Sequence, residues 1–271
     1  MSHQVACKRL KQSLVEFESR AFEAEAAAMA GLRHPNIVTF FGAGVDGEGC
    51  GFLITELMAN GSMTSVLIDR TSHPHLDWSI RLGFARDIAA GMRFLHNRQP
   101  PMLHRDLKSE NVLLDDRWVA KVSDFGTLRS LAQGQSLFLS TTLESGVTSN
   151  LAVTATGGCG TPLWTAPEVT LAKNGVSRYG PSADVYSCGI VLFEIAARTR
   201  PWEEMGPELS LFQLRAKVAE GQRPTFVAEP ADLPEGYRAL MEACWHADPA
   251  TRPTFVTVAR LLQAMVAGQP Q

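Results

Sequence analysis

Two short polar segments carry the side chains of this sequence that are best suited to chemistry. The first runs from His104 to Asn111, and the second is Asp124-Phe125-Gly126, which begins thirteen residues after Asn111. Asn111 and Asp124 offer oxygen atoms, the donors that hard cations such as Mg²⁺ prefer. Asp106 could accept the proton of a hydroxyl group, and Lys108 could neutralise a phosphoryl group during its transfer. The two segments therefore indicate a site for metal-assisted phosphate transfer, provided that the fold brings them together.

The elements that must position these segments follow from the periodicity of apolar residues. The first part of the chain predicts strand, helix, strand and strand, at residues 3–10, 14–32, 37–41 and 51–57. Pro35 ends the predicted helix, and residues 42–49 are predicted to form a hairpin turn. From about Asn60 onward the pattern is mostly helical. The predicted helices cover residues 77–97, 184–198, 209–221, 234–246 and 256–267.

One segment differs from its surroundings. Residues 127–161 hold twelve Ser or Thr residues, but only one basic and one acidic side chain, Arg129 and Glu144. Such a segment can bury little apolar surface, so the composition predicts a mobile loop.

A glycine-rich stretch, Gly42-Ala43-Gly44-Val45-Asp46-Gly47, matches the G-x-G-x-x-G pattern of phosphate-binding loops. That function requires a helix directly after the loop, because the helix N-terminus holds the phosphates. Here a strand is predicted to follow, so we interpret the stretch as a turn and not as a binding site.

Composition limits the possible classes of protein. The 271 residues are 45% hydrophobic and 20% charged, which excludes a disordered tail, a collagen-like fibre and a coiled coil. The net charge of −3 does not favour binding to nucleic acid. The longest apolar stretch, residues 185–197, is too short to cross a bilayer, so no membrane segment is predicted. Five cysteines, none spaced as a metal pair, favour reduced thiols and a cytoplasmic location.

The two polar segments belong to an ordered set of motifs that resembles the catalytic domain of eukaryotic protein kinases. In chain order the motifs are Val5-Ala6-Cys7-Lys8, Phe22-x-x-Glu25, His34-Pro35-Asn36-Ile37-Val38, Thr55-Glu56-Leu57-Met58, the two segments above, Gly160-Thr161-Pro162-Leu163-Trp164-Thr165-Ala166-Pro167-Glu168, Asp184-Val185-Tyr186-Ser187-Cys188-Gly189, and Cys244-Trp245-His246-Ala247-Asp248-Pro249 with Arg252-Pro253. The set covers residues 5–262 and is far more specific than any one motif.

The resemblance implies an α+β fold with two lobes. The small N-lobe, residues 1–58, would hold an antiparallel sheet that lacks the first two strands of the family. The mainly helical C-lobe would cover residues 59–271, with an activation segment at residues 124–168.

The resemblance also implies that the domain binds ATP and Mg²⁺. Lys8 would hold the α- and β-phosphates, and Glu25 would orient Lys8; Glu23 is a competing partner that the Phe22-x-x-Glu spacing disfavours. Ala6 and Leu113 would enclose the adenine, whose edge would bond the backbone of Glu56 and Met58.

The resemblance assigns the chemistry itself to the two polar segments. Asn111 and Asp124 would hold Mg²⁺, and Asp106 would orient the attacking hydroxyl beside Lys108. Positioning and charge neutralisation would then carry most of the reaction.

Further positions are implied to be regulatory or structural. Arg105 would pair with a phosphate on the activation segment, for which Thr154 and Thr156 are the best candidates. Thr161 is interpreted as a contact of the catalytic loop. Glu168 and Arg252 are expected to form a buried ion pair, and Asp184 begins the central helix of the C-lobe.

The motifs also bear on the substrate. Lys108 and the Gly160-Thr161-Pro162-x-Trp164 pattern are typical of kinases that act on Ser and Thr, whereas Asp184-Val185-Tyr186-Ser187 and Cys244-Trp245 are similar to tyrosine kinases. This mixture resembles the tyrosine-kinase-like group, whose members mostly phosphorylate Ser or Thr. The resemblance therefore implies transfer of the γ-phosphate of ATP to Ser/Thr hydroxyls of protein substrates, with dual specificity open.

The sequence departs from the family at its start. Only seven residues precede Lys8, so the glycine-rich flap over the phosphates is missing. We expect an incomplete chain, since Lys8, Glu25, Asp106, Asn111 and Asp124 are all present. A kinase-derived binding module without activity, or a fragment that folds poorly alone, are the alternatives.

Overall fold

A computed structural model describes residues 4–13, 22–23, 26–124, 129–130, 161–170, 179–206, 208–228 and 230–268. For residues 10–13 and 129–130 the backbone alone is described. The predictions for Glu25, Thr154 and Thr156, and most of the predicted loop 127–161, lie outside these ranges.

The first part of the chain forms a three-stranded antiparallel sheet. Its strands are β1 (Val5–Ser13), β2 (Phe40–Val45) and β3 (Cys50–Glu56), in the order β1-β3-β2. In the central strand, Leu53 pairs with Lys8 of β1 on one side and with Ala43 of β2 on the other. Within the described residues, β1 pairs with β3 alone, so its second edge has no strand beside it.

The position predicted for the second strand was wrong. The predicted strand 37–41 and turn 42–49 are replaced by a strand that begins at Phe40 and contains most of the glycine-rich stretch. Gly44 pairs with Phe52, and a Cβ atom on Gly44 would lie 2.5 Å from the Phe52 ring. The missing side chain makes room for that ring, which is why glycine is accepted in a strand here. The turn is confined to the residues after Val45, where Asp46 accepts hydrogen bonds from the backbone N–H groups of Glu48 and Cys50.

The rest of the chain is mainly helical, so the α+β prediction is confirmed. Its helices are α1 (Met63–Ile68), α2 (Trp78–His96), α3 (Pro167–Thr170), α4 (Pro181–Ala197), α5 (Leu211–Ala219), α6 (Tyr237–Cys244) and α7 (Phe255–Ala267). Single 3₁₀ turns occupy Ser109–Asn111, Pro162–Trp164 and Glu203–Met205. Two two-stranded antiparallel sheets pair β4 (Met102–Leu103) with β7 (Arg129–Ser130), and β5 (Val112–Leu114) with β6 (Ala120–Val122).

The five helices predicted after residue 60 are confirmed, with ends that shift by at most three residues. Of the predicted helix 14–32, the described part is helical at residues 22–23 and 26–30. The N-terminus of α2 is well defined because the side chain of Asp77 accepts a hydrogen bond from the N–H of Ile80.

Helix α4 forms the centre of the larger part of the fold. Its residues from Ala183 to Ala196 are all buried, as expected for a helix that is apolar on every side. Two acids, Asp184 and Glu194, are buried within this apolar helix, with 0% and 2% of their surface exposed. Buried carboxyl groups need specific partners, so these two mark polar connections from the core to the neighbouring loops. In the part of the chain that the structure describes, no helix has the length and apolar character needed to span a membrane.

Candidate active site

The loop around Asp106 is held from within the core by Asp184. The backbone N–H groups of His104 and Arg105 each donate to this carboxylate at 2.9 Å, and the Tyr179 hydroxyl donates to it at 2.8 Å. His96 Nε2 lies 2.8 Å from Oδ2 of Asp184, the oxygen that also accepts from the N–H of His104. Burial raises the pKa of Asp184, but the hydrogen bonds and nearby histidines outweigh it and hold the pKa below its ordinary value. An ionised carboxylate therefore fixes the start of the loop, including the left-handed backbone of Arg105 at φ 71°.

Asp106 lies at the centre of a small network of donors. Its Oδ1 accepts hydrogen bonds of 2.9 Å from both the backbone N–H and the hydroxyl of Thr161. Its Oδ2 lies 3.0 Å from the Asn111 amide nitrogen and 3.0 Å from the Lys108 ammonium. Lys108 Nζ also donates to the Thr161 hydroxyl at 2.6 Å. Four residues that the sequence singled out are thus brought together, and the carboxylate has one fixed orientation.

Lys8 reaches this region from the small sheet. Its Nζ lies 2.9 Å from Oδ1 of Asp124, which follows β6. Burial raises the pKa of Asp124, but the Lys8 ammonium outweighs it and keeps the pKa below its ordinary value. Asp124 is therefore an ionised carboxylate, the form that binds a cation. The predicted partner of Lys8, Glu25, lies outside the described residues.

The two predicted metal donors are held close to each other by Ser123. Its backbone N–H and its hydroxyl both donate to the carbonyl of Asn111, at 2.8 and 2.9 Å. The amide nitrogen of Asn111 is occupied by Asp106, which leaves its amide oxygen as the atom suited to a cation. Mg²⁺ is commonly held by one or two carboxylates together with phosphate oxygens. The Asn111 amide oxygen and the Asp124 carboxylate supply donors of this kind.

Three of the positions predicted to contact adenine lie on strands, and Met58 follows β3. Ala6 is half-buried on β1 opposite Thr55, and Leu113 is half-buried on β5. The N–H of Glu56 donates to the carbonyl of Thr39. Its backbone carbonyl is therefore the Glu56 group suited to a ligand. Met58 is buried, with 7% of its surface exposed.

Several contacts were missed by sequence reasoning. The Glu56 carboxylate binds Lys121 at 2.7 Å and accepts a 2.7 Å hydrogen bond from the N–H of Thr39. His96 binds Asp184, and Ser123 joins Asn111 to the segment that carries Asp124. Ser123 directly precedes a predicted motif, which is a usable signal. For His96 and Lys121 the sequence contained none, because their partners are distant along the chain.

Two further predicted residues, Glu168 and Arg252, form an ion pair at the edge of the helical region. Both guanidinium nitrogens of Arg252 meet the Glu168 carboxylate, at 2.7 and 2.9 Å. The Arg252 side chain is fully buried, whereas 24% of that of Glu168 is exposed. Arg252 also donates to the carbonyls of Ser182 and His246, so it joins α3 to α4 and to the segment before α7.

The predicted phosphate-binding residue Arg105 lies beside the active site. Its guanidinium is 5.3 Å above the Tyr179 ring. Within the described residues, its buried Nε has no hydrogen-bond partner. Its pairing with a phosphate on Thr154 or Thr156 stays a prediction.

Comparisons with known proteins agree with this geometry. The model of the family described as protein tyrosine and serine/threonine kinase matches residues 1–262. A probable serine/threonine-protein kinase, drkD of Dictyostelium discoideum, is 38% identical over 236 residues, which is 87% of this chain and 16% of the relative. The serine/threonine-protein kinase CTR1 of Arabidopsis thaliana is 36% identical over 245 residues, 90% of this chain and 26% of the relative.

A third relative extends the range of described activities. The dual specificity protein kinase shkA of Dictyostelium discoideum is 34% identical over 264 residues, 97% of this chain and 45% of the relative. The chain thus spans between about a sixth and less than half of the length of these curated relatives.

Proposed function

This chain belongs to the protein tyrosine and serine/threonine kinase family, and we propose that it transfers the γ-phosphate of ATP to Ser or Thr hydroxyls of proteins. The resemblance stated from its motifs is confirmed over nearly its whole length. In the proposed division of the chain, residues 1–58 form the N-lobe, residues 59–271 the C-lobe and residues 124–168 the activation segment.

The observation that carries the proposal is the convergence of four distant segments. Lys8 contacts Asp124, and Asn111 donates to Oδ2 of Asp106. Thr161 donates to the other oxygen of Asp106, Oδ1. These residues come from β1, from the loop before β5, from the end of β6 and from the segment before α3. A base, a cation and two metal donors brought together in this way are what phosphate transfer requires.

The nucleotide would be bound by charge and by the shape of the cleft. Lys8 would move from Asp124 to the α- and β-phosphates, leaving both oxygens of Asp124 for the cation. Asp124 and the amide oxygen of Asn111 would hold Mg²⁺, which would supply positive charge to neutralise the phosphates. Ala6 and Leu113 would enclose the adenine.

Asp106 would orient the attacking hydroxyl and take its proton. Its carboxylate is already held by Asn111, Lys108 and Thr161, so little reorganisation is needed during the reaction. The Thr161 hydroxyl can rotate, and it would give way when the substrate hydroxyl approaches Oδ1 of Asp106. The Lys108 ammonium, 3.0 Å from Asp106, would stabilise charge on the phosphoryl group in transfer.

Ser/Thr specificity is supported by the contact between Lys108 and Thr161, the two residues of the Ser/Thr-type pattern. The relatives named above are described as serine/threonine or dual specificity kinases. Dual specificity therefore stays open.

The four described cysteines are free thiols, which fits the reducing cytoplasm as the place of action.

The proposal is tested by phosphotransfer from radiolabelled ATP to a generic Ser/Thr protein substrate in the presence of Mg²⁺. Asp106→Asn should lower kcat by roughly 10²- to 10⁴-fold, because one positioned base is lost. ATP affinity should change little, since Asp106 contacts the hydroxyl and not the nucleotide. Asp116→Asn, an exposed carboxylate in the turn between β5 and β6, should retain the wild-type rate. A wild-type chain that binds ATP without transferring phosphate would instead be a kinase-derived binding module.

A further inference from the structure

Glu194 is a buried carboxyl group that has no part in the mechanism above. It lies on the apolar helix α4 with 2% of its surface exposed. Ser109 Oγ donates to its Oε1 at 2.6 Å, and the indole N–H of Trp164 donates to its Oε2 at 2.7 Å. Both carboxyl oxygens are therefore used, each on a different loop.

These two partners belong to the two sides of the active site. Ser109 directly follows Lys108 and begins the 3₁₀ turn that ends at Asn111. Trp164 ends the 3₁₀ turn whose N-cap is Thr161. Helix α4 makes a second hydrogen bond to Trp164, in which the Ser187 hydroxyl donates to the Trp164 carbonyl at 2.9 Å.

The surroundings of Glu194 favour its neutral form. Burial, and then the nearby Glu110 carboxylate, raise the pKa of Glu194 to about 8. In the neutral form, Oε2 accepts from Trp164. The proton on Oε1 is then donated to the hydroxyl oxygen of Ser109, which reverses the direction of that hydrogen bond relative to the ionised form. Ser109 in turn contacts the hydroxyl of Thr64 on α1, so the hydrogen bonds continue through the core. A neutral acid can meet both partners without leaving an unpaired charge in the core.

We propose that Glu194 is a positioning residue, which sets the distance between the loop that carries Asp106 and Lys108 and the segment that carries Thr161 by binding Ser109 and Trp164 at once. The proposal rests on the proposed function, because Asp106, Lys108 and Thr161 are the groups whose geometry it controls. A displacement of about 1 Å at a reacting group can cost roughly 100-fold in rate.

The decisive comparison is between Glu194→Ala and Glu194→Gln. Alanine breaks both connections, so kcat should fall by about tenfold to 100-fold. The KM for ATP should stay within about twofold, because Lys8 and the Glu56–Met58 segment do not depend on Glu194. Glutamine keeps one donor and one acceptor at the same positions, so it should restore most of the lost kcat.

Two further variants, each of which removes one of the two hydrogen bonds to Glu194, show how much each bond contributes to kcat. Ser109→Ala removes the connection to the catalytic loop, and Trp164→Phe removes the connection to the activation segment. Each should lower kcat, and neither should lower it further when combined with Glu194→Ala, because residues of one network are not additive. Ile195→Val, a fully buried neighbour on α4, is the matched control and should leave kcat unchanged once folding is complete.

An NMR measurement that does not depend on activity tests the role of Glu194 independently of the proposed kinase function. The indole ¹H–¹⁵N resonance of Trp164, assigned by its absence in Trp164→Phe, should move in Glu194→Ala and keep its position in Glu194→Gln. If the wild-type chain transfers no phosphate but this resonance moves as expected, the connection stands and the kinase proposal fails. An unmoved resonance, a wild-type kcat in folded Glu194→Ala, or no rescue by glutamine would each overturn the role of Glu194.

Discussion

The ammonium of Lys8 lies 2.9 Å from a carboxylate oxygen of Asp124, although the two residues are 116 positions apart in the chain. The contact joins the small antiparallel sheet to the segment after β6. Both side chains are partly exposed, 27% and 22%, so a nucleotide can reach them from solvent. The same ammonium that now neutralises Asp124 is the one expected to meet the phosphates.

Lys8→Met should therefore weaken both nucleotide binding and transfer. Loss of a hydrogen bond to a charged group is worth about 1.5–3 kcal/mol, so kcat/KM for ATP should fall by roughly 10- to 100-fold. Steady-state kinetics at varied ATP concentration measures this. Arg9→Met serves as the control, since Arg9 pairs with Asp46 and Glu48 at the sheet turn. Equal effects of the two variants would show that Lys8 has no special role.

Thr161 should act through its hydroxyl and not through its size. Thr161→Val removes the hydroxyl's hydrogen bonds to Asp106 and Lys108 but keeps the side-chain shape and the backbone N–H bond to Asp106. We expect kcat to fall by about 10- to 100-fold. Thr161→Ser keeps the hydroxyl and should remain within a few-fold of the wild type. The two rates are compared at saturating ATP. If valine and serine behaved alike, the Asp106–Thr161 contact would be irrelevant to the reaction.

The Glu168–Arg252 pair should contribute to stability and not to chemistry. Removing either partner leaves a largely buried charge without its counter-ion, at a cost of roughly 3–5 kcal/mol in the free energy of unfolding. Urea denaturation of both single variants to alanine and of the double variant measures the coupling energy. The exposed pair Arg238–Glu242 is a matched control, and Glu242→Ala should cost less than about 1 kcal/mol. Strictly additive losses at Glu168 and Arg252 would contradict their pairing.

Glu194 should make the protein less stable as the pH rises. Its pKa is about 8 in the folded chain against an ordinary value of 4.5, so between these pH values the folded state holds a proton that the unfolded state has released. The free energy of unfolding therefore decreases with increasing pH in this window, by at most about 1.4 kcal/mol per pH unit.

Glu194→Gln has no such proton to release. Its free energy of unfolding, relative to that of the wild type, should therefore increase from pH 5 to pH 8. Urea denaturation of both proteins at pH 5, 6.5 and 8 measures the difference. Parallel pH profiles of the two proteins would mean that Glu194 titrates in its ordinary range, despite the nearby Glu110.

Much of the fold could be predicted from the sequence because it depends on local patterns. Helices α2 and α7 were predicted to within a residue, since apolar spacing acts over a few neighbouring positions. The position of the strand that contains Gly44 was predicted wrongly, because glycine is common in turns and the local sequence therefore favoured a turn. Only the opposite strand shows that the ring of Phe52 occupies the space above it.

The sequence alone determined the family and the identity of the residues that can do chemistry, because these depend on residue types at set spacings. The tertiary structure decided which of them meet. It placed Lys8 against Asp124, turned the Asn111 amide toward Asp106, and buried Glu194 between Ser109 and Trp164. The physical reason is that a hydrogen bond or a raised pKa depends on distance and burial, and these are set by packing between segments far apart in the chain.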